Sequence, residues 1–190
     1  RVRGIWAGGS SQENPSQGGE NNSMHWVTTA TLSNAYLWST ALSSTAWSAG
    51  VSDGDRGVFF GGTESSADAS TFMNYISMSV ASYQAIDFGD LALAAGEVGG
   101  AGHATYGIKA GGFYDDINKY RRVQMEKFTI QTTSSSAYLG DLTQARRKLT
   151  GTSNGTRGLF AGGIDFGRLN TIDYLTIATD TSATDFGDLA

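Results

Sequence analysis

The sequence predicts an all-β protein made of four repeats of about 50 residues, and three observations carry that prediction. The chain has 26 glycines, a single proline (Pro15) and only 16% charged residues. Short runs of Val, Ile, Thr and aromatic residues are separated by glycine-rich or Asn-Gly turns, which is typical of short strands. Four glycine pairs recur at separations of 53, 50 and 51 residues, and such a fixed long period indicates a repeat architecture.

The glycine pairs end four similar apolar runs, "GIWAGG", "GVFFGG", "GIKAGG" and "GLFAGG". They are Gly8 and Gly9, Gly61 and Gly62, Gly111 and Gly112, and Gly162 and Gly163. We expect a structural role, because a sharp turn or close packing requires positive φ or a missing Cβ. Phosphate binding is the weaker alternative, because no Lys-Ser/Thr pair and no helical pattern follow the glycines.

A second block follows each glycine pair: "MHWVTTAT", "MNYISMSV", "MEKFTIQT" and "IDYLTIAT". Apolar and polar residues alternate with period two, which predicts a strand with one buried face. The predicted buried positions form two columns across the repeats. The first column is Val27, Ile76, Phe128 and Leu175, and the second is Thr29, Met78, Ile130 and Ile177.

A third block reads "DFGDL" at 87–91, "YLGDL" at 138–142 and "DFGDL" at 185–189, and it is reduced to "YLWSTAL" at 36–42. We expect its Phe or Leu to pack between repeats and its glycine to permit a bend. The aspartates expected to accept hydrogen bonds in turns are Asp90, Asp141 and Asp188. A kinase Asp-Phe-Gly motif is disfavoured, because the block recurs and no other kinase motif is present.

Small-residue segments join one repeat to the next and predict a further strand in each, at about 46–51, 94–99 and 147–151. Each repeat then holds about four short strands, as one blade of a β-propeller does. Arg3, Arg56 and Arg157 precede three of the glycine-pair strands, and Tyr106 precedes the other. We expect these arginines to pair with repeated aspartates of adjoining units, with a ring of ligand-binding arginines as the alternative.

These repeats resemble kelch-type β-propeller blades over nearly the whole chain. The signature "RGLFAGG…NTIDYLTIAT…ATDFGDL" also resembles kelch-like repeats of bacteriophage virion and tail-associated proteins, notably those of cyanophages. The usual kelch Trp near the outer strand is missing, and Phe88, Leu139 and Phe186 occupy that region. The resemblance implies one kelch-like propeller domain, or a segment of a larger propeller, over 1–190. Its repeat units are about 1–53, 54–104, 105–155 and 156–190.

The same resemblance implies a non-enzymatic structural or adhesion component of the phage particle. Its implied partners are other virion proteins, further copies of itself, or a glycan or protein of the host surface. A secreted, extracellular carbohydrate-binding propeller similar to a lectin is the alternative. Stoichiometric association with virion proteins would favour the first, and binding of the isolated protein to glycans would favour the second.

Catalysis and several partner classes find little support in the sequence. His25 and His103 lie in different repeats without periodic carboxylate partners, so neither a metal site nor a catalytic triad is indicated. The chain has no cysteine, so it lacks the copper ligand of kelch-like oxidases, and we expect no cofactor. A net charge of −5 offers no basic face for nucleic acid. No apolar stretch approaches the roughly 20 residues of a membrane span, so we expect no membrane insertion.

The most variable segments are the loops after the glycine pairs, and the third, "FYDDINKYRRVQ", is the predicted binding loop. Its candidate residues are Phe113, Tyr114, Asp115, Asp116, Tyr120, Arg121 and Arg122. Aromatic residues with arginine are typical of protein-interface hot spots, and aromatic rings with carboxylates also suit a sugar. A merely solvated loop remains the alternative. Two adjacent carboxylates fall short of the six to eight oxygens that Ca²⁺ takes, so no metal site is predicted.

The first glycine-pair strand begins almost at Arg1, so we expect the first repeat to lack an inner strand. The missing strand is expected from further sequence of the same polypeptide, or otherwise from a neighbouring subunit.

Overall fold

A computed structural model describes residues 3–9, 21–64, 68–80, 84–114 and 120–190. These residues form fifteen β-strands and no helix, so the all-β prediction is confirmed. In the described part of the chain there is accordingly no helix long and apolar enough to cross a membrane.

The strands form four antiparallel sheets in which strand order follows chain order. The first sheet contains β1 (Arg3–Ala7), β2 (Asn21–Thr28) and β3 (Tyr36–Thr45). The second contains β4 (Ala49–Ser52), β5 (Arg56–Phe60), β6 (Phe72–Ser77) and β7 (Ile86–Asp90). The third contains β8 (Gly99–Gly102), β9 (Tyr106–Ala110), β10 (Gln124–Thr129) and β11 (Ala137–Asp141). The fourth contains β12 (Thr150–Ser153), β13 (Arg157–Ala161), β14 (Thr171–Thr176) and β15 (Thr184–Asp188).

The segments that join the repeats supply the first strand of the second, third and fourth sheets. We call these strands, β4, β8 and β12, the inner strands. β4 contacts β8, and β8 contacts β12, so the sheets adjoin along their inner strands. β3 of the first sheet contacts β7 of the second. Four successive sheets of one repeat each, joined in this way, are consistent with a propeller-like arrangement.

The inner strands begin three to five residues later than the sequence predicted. The residues before them form a turn in which Trp47, Glu97 and Lys148 have φ of 57°, 55° and 58°. Positive φ interrupts an extended strand, which explains the shorter strands. The same turn links neighbouring repeats, because the Glu97 N–H donates to the Trp47 carbonyl at 3.1 Å and the Lys148 N–H donates to the Glu97 carbonyl at 2.9 Å.

The glycine pairs meet the structural expectation, since all eight residues have positive φ. The third pair shows why side chains are excluded. A Cβ on Gly111 would lie 2.5 Å from the Arg146 carbonyl oxygen, and one on Gly112 would lie 2.7 Å from that of Gly96. These glycines therefore permit both the turn and the close approach of the joining segments that precede and follow the third repeat.

The core lies between successive sheets, in three clusters of the same kind. Between the first and second sheets it includes Met24, Trp38, Ile76 and Met78. Between the second and third it includes Met73, Phe88, Phe128 and Ile130. Between the third and fourth it includes Met125, Leu139, Leu175 and Ile177. The two predicted columns are therefore buried in the second, third and fourth repeats, each packing against the preceding sheet.

The first repeat departs from the predicted columns: Val27 is only half-buried and Thr29 is exposed. The reason is that these columns are covered by the preceding sheet, and no described residue lies in such a sheet for the first repeat. The opposite face of each sheet is covered by the following sheet, and the fourth sheet has no following sheet among the described residues. Phe186 is 52% exposed, whereas Phe88 is 2% exposed beneath the following sheet.

The repeated aspartates Asp90, Asp141 and Asp188 are the last residues of β7, β11 and β15, the fourth strands of their sheets. Asp90 Oδ1 accepts a hydrogen bond from Thr71 Oγ1, which lies immediately before β6, at 2.9 Å, and the expectation that the aspartates as a set accept turn hydrogen bonds stays a prediction. The carbonyl oxygens of Asp90 and Asp141 accept hydrogen bonds from the next sheet, from the N–H groups of Ser136 at 2.9 Å and Ala183 at 2.8 Å. The first aspartate of the block has the local role, since Asp185 Oδ1 accepts the Gly187 N–H at 3.0 Å.

The repeated arginines also join neighbouring sheets, but not through aspartates. Arg3 donates to the Met78 carbonyl oxygen at 3.1 Å, and Arg56 donates to that of Ile130 at 3.1 Å. In both cases the acceptor belongs to the following repeat. Within the described residues, Arg3 and Arg56 therefore contact backbone carbonyls just after the third strand of the following sheet. These contacts take the place of the predicted arginine–aspartate pairs.

Candidate functional site

Two loops that follow glycine pairs, in the third and fourth repeats, bring aromatic and arginine side chains together. We call this region the aromatic–arginine surface; its described members are Tyr114, Tyr120, Arg121, Arg122, Asp165 and Phe166. The ends of the third loop are held by the backbone. The Tyr114 N–H donates to the Tyr120 carbonyl at 3.2 Å, and the Arg122 N–H donates to the Gly112 carbonyl at 2.8 Å. The side chains thus project from a fixed base next to the sheet.

The third-repeat half of the surface is a stack of two tyrosines and an arginine. The Tyr114 and Tyr120 rings stack with centroids 5.5 Å apart at an interplanar angle of 19°. The Arg122 guanidinium lies 4.6 Å from the Tyr114 ring centroid, and its Nε donates to the Ala94 carbonyl at 2.9 Å. Burial lowers the pKa of Arg122, while the nearby Glu126 carboxylate opposes that change. A guanidinium stays charged near neutral pH, so the stack carries a positive charge.

The fourth-repeat half is tied to the third by Arg121. Its Nε lies 3.3 Å from Asp165 Oδ1, and its Nη2 donates to the Asp165 carbonyl oxygen. The Arg121 guanidinium also lies 4.6 Å from the Phe166 ring centroid. Gln144 Nε2 donates to Asp165 Oδ2 at 3.4 Å, so the carboxylate is held from two sides. Contacts between two repeats therefore fix one continuous surface.

The surface offers apolar rings beside charge. Tyr114 and Tyr120 are 47% and 50% exposed, and Phe166 is 93% exposed. Rigid aromatic rings flanked by arginines are the residue types that dominate protein interfaces. The arginines are oriented by their ring and carboxylate contacts, so less side-chain freedom is lost when a partner binds.

The structure brings together four of the seven predicted binding residues: Tyr114, Tyr120, Arg121 and Arg122. Phe113 is fully buried, so the expectation that its ring offers contact area is wrong. It forms the bridges Gly96↔Phe113 and Phe113↔Arg121 that anchor the loop. Asp115 and Asp116 lie outside the described residues. Sequence reasoning missed Asp165 and Phe166, although they follow the fourth glycine pair as Tyr114 follows the third.

Metal-ligating side chains and the histidines were the remaining candidates for a functional site. Among the described residues, no group of three or more His, Cys, Asp or Glu side chains is placed to hold a metal ion. His103 Nδ1 accepts the Thr105 N–H at 3.2 Å, as a turn-stabilising group does.

Among the described residues, two ion pairs are fully buried. Lys109 Nζ lies 3.3 Å from Glu126 Oε1, and Arg146 Nη2 lies 3.0 Å from Asp173 Oδ2. Buried charges can mark active sites, but these carboxylates also accept hydrogen bonds from the preceding repeat. Glu126 accepts the Ala92 N–H at 2.9 Å, and Asp173 accepts the Thr143 N–H at 3.0 Å. We therefore interpret both pairs as structural links between sheets.

The Lys109–Glu126 pair predicts an alkaline gain in stability. Burial lowers the pKa of Lys109 to about 8 from its ordinary 10.5, although Glu126 acts in the opposite direction. Between those values the folded chain has lost a proton that the unfolded chain retains, so stability rises with pH. We expect the free energy of unfolding to rise between about pH 8 and pH 10.5 because of Lys109. Urea unfolding at a series of pH values measures it.

The matched control is Lys109→Met combined with Glu126→Gln, which removes both charges and approximately keeps the side-chain volumes. The pH profile of this variant should lack the Lys109 contribution. Identical profiles for the variant and the original chain would contradict the assignment.

No protein-family model matches the sequence, and no curated protein is significantly similar to it.

Proposed function

We propose that this chain is a non-enzymatic recognition and assembly platform, built as a kelch-like β-propeller or a segment of a larger one. In this proposal it belongs to a phage particle, at the tail or a decorating position, and it contacts another virion protein, another copy of itself or a host-surface molecule. The virion context rests on the resemblance of the repeats to those of phage proteins.

One observation supports a binding role above the others: the aromatic–arginine surface spans two repeats. Its rings are exposed, yet Arg121 and Arg122 are held in place by contacts that a simple solvated loop does not need. Asp165 contacts Arg121 from the neighbouring repeat, so the geometry of the surface depends on the scaffold. Binding through loops on a rigid β framework is a common use of such folds.

Carbohydrate binding by a secreted protein is the second candidate, and the nearly complete exposure of Phe166 favours it. An exposed ring can stack on the apolar face of a sugar, and Asp165 lies beside that ring to accept hydroxyl hydrogen bonds. A partner protein would be expected to cover both tyrosines and Phe166 together.

Replacing Tyr114, Tyr120 and Phe166 together with alanine is the test of the surface. We expect particle incorporation, or adsorption of the purified protein to host cells, to fall by at least about tenfold, because hot-spot residues each contribute 2 kcal/mol or more. The unfolding midpoint should change little, because all three rings are largely exposed. Incorporation and adsorption are measured with the original chain in parallel.

Tyr138→Ala is the matched control, since Tyr138 is also an exposed tyrosine but lies on β11. Incorporation of this control should be unchanged. A triple variant that still enters the particle and adsorbs normally would remove the surface from consideration. Saturable binding of the isolated protein to a glycan array, lost in the triple variant and unaccompanied by virion association, would favour the carbohydrate-binding alternative.

A further inference from the structure

A cavity of about 460 Å³ opens where the chain turns from β6 towards β7, beside the first sheet. Its lining is mostly apolar and includes Trp38, Arg56, Tyr75, Ile76, Val80 and Ile86. The cavity follows the third strand of its sheet, whereas the loops of the aromatic–arginine surface follow the second strand of theirs. The two regions therefore lie at opposite strand ends, and this inference does not depend on that surface.

The sequence departs from the repeat in two ways at this cavity. The first is the length of the segment between the third and fourth strands. In the second sheet this segment covers 78–85, one residue more than its counterparts 29–35, 130–136 and 177–183. Its residues 81–83 lie outside the described residues, and the cavity is defined by the side chains named above.

The second departure is Ser39 of β3, which replaces a glycine at the same register position of the other sheets. The glycine lets the segment before the next sheet's fourth strand approach closely. A Cβ on Gly89 would lie 2.7 Å from the Ser134 carbonyl carbon, and one on Gly140 would lie 2.7 Å from the Ser182 nitrogen. Ser39 carries the Cβ that such an approach excludes. The segment before β7 therefore cannot pack against the first sheet in the same way, which leaves room for the cavity.

Trp38 forms the wall of the cavity on the first sheet. Its side chain is 4% exposed, and its ring packs edge-on against Trp26 with centroids 6.1 Å apart, so the wall is fixed. The indole Nε1 is buried and has no hydrogen-bond partner among the described residues. Buried donors are normally paired, so a bound molecule that brings an acceptor to this wall would satisfy an orphaned group.

Arg56 supplies the positive charge of the cavity. Its guanidinium lies 4.2 Å from the Tyr75 ring centroid, and its Nη1 donates to the Ile130 carbonyl at 3.1 Å. Within the described residues no ion pair joins Arg56 to a carboxylate. The Asp53 carboxylate is engaged elsewhere, because it accepts the Arg56 backbone N–H at 2.7 Å and a hydrogen bond from Gln131 Nε2. The oriented guanidinium therefore keeps donors for a further acceptor.

The third sheet shows which group is missing. There the ring and the cation exchange places, as Tyr106 and Lys127, and the Lys127 ammonium lies 4.8 Å from the Tyr106 ring centroid. Lys127 also forms an ion pair with Asp180 from the following repeat. One repeat earlier, Thr133 stands at the position of Asp180. Arg56 therefore lacks the carboxylate that its third-sheet counterpart has.

We propose that this cavity binds a small molecule that has an apolar body and one carboxylate group. The carboxylate pairs with the Arg56 guanidinium, whose forked donors match its two oxygens. The apolar body lies against Trp38, Ile76 and Ile86. A mostly apolar cavity with a few polar groups is the usual form of a small-molecule site.

Calorimetric titration of the chain with naphthoate and with decanoate tests the proposal, since these are an aromatic and an aliphatic carboxylate. We expect saturable one-to-one binding of at least one of them. The neutral amide of the same molecule should bind at least about tenfold more weakly, because it cannot form the ion pair. Absence of saturable binding by both carboxylates, or equal binding of the acid and its amide, would overturn the proposal.

Arg56→Gln locates the carboxylate. Its affinity for the acid should fall at least about tenfold, to that of the amide, while its affinity for the amide is unchanged. Retained binding of the amide shows that the cavity is still folded, so a loss confined to the acid cannot come from unfolding. Undiminished binding of the acid by this variant would reject the site.

If Arg56→Gln unfolds early, Ile86→Glu replaces it. Ile86 is 53% exposed, so the substitution should leave the fold intact and place a negative charge at the cavity. Thr184→Glu is the matched control, because Thr184 pairs with Tyr174 in the fourth sheet as Ile86 pairs with Tyr75. We expect binding of the acid to weaken at least about tenfold for Ile86→Glu only. Equal affinities of these two variants for the acid would contradict the assignment.

Discussion

Replacing Phe128 with alanine is expected to lower the free energy of unfolding by about 3–5 kcal/mol. Phe128 is buried between the second and third sheets, where its ring packs edge-on against Phe60 at 5.4 Å and Phe88 at 5.5 Å. It also lies over Gly107, where an added Cβ would be only 2.3 Å from its ring. Both bordering rings belong to the second sheet, whereas Phe128 belongs to the third, so the resulting cavity cannot collapse without moving one sheet relative to the other.

Urea unfolding of Phe128→Ala measures this loss, and Phe186→Ala is the control. Phe186 belongs to the block that contains Phe88, but it is largely exposed on the fourth sheet. We expect less than about 1 kcal/mol for the control. Equal losses for the two variants would show that the sheet interface does not depend on Phe128.

Phe128 is an example of a structural feature that the sequence predicts correctly. Its burial was predictable because four aligned copies repeat the same period-two pattern, and the side-chain direction of a strand follows from that period. Thr29 was mispredicted because burial of its column depends on a preceding sheet, which strand periodicity does not reveal. The inner strands begin later than predicted because Trp47, Glu97 and Lys148 adopt positive φ. Trp, Glu and Lys rarely adopt this conformation, so the sequence does not indicate it.

The candidate site was likewise predictable from the sequence only in part. Tyr114, Tyr120, Arg121 and Arg122 are close in sequence, so their clustering in one loop was predictable from composition. Phe113 lies in the same loop, but its backbone bridges turn its ring into the scaffold. Asp165 and Phe166 come from the next repeat, and their contact with Arg121 depends on how neighbouring sheets adjoin. Aligning the sequences of the loops after the third and fourth glycine pairs could have suggested Asp165 and Phe166, because Asp165 aligns with Tyr114.

The buried cations were not predictable, because the repeats place them at different positions. The third sheet pairs Glu126 with Lys109 on the adjacent strand, whereas Asp173 of the fourth sheet pairs with Arg146 from the joining segment. The second sheet has the uncharged Asn74 in the equivalent position. A repeat of this type can therefore fold with a neutral residue at this position, so the fold itself does not require a buried charge pair.

Arg146→Met is expected to lower the free energy of unfolding by about 3–5 kcal/mol, because it leaves Asp173 buried without its cation. Adding Asp173→Asn should restore at least about half of that loss, since the neutral amide keeps an acceptor for the Thr143 N–H and no longer needs a counter-ion. Asn74 is the precedent for this neutral arrangement. Urea unfolding of both single variants and the double variant completes the thermodynamic cycle. If the double variant is no more stable than Arg146→Met, the loss comes from the packing of the arginine side chain, and the ion pair does not join the third and fourth sheets.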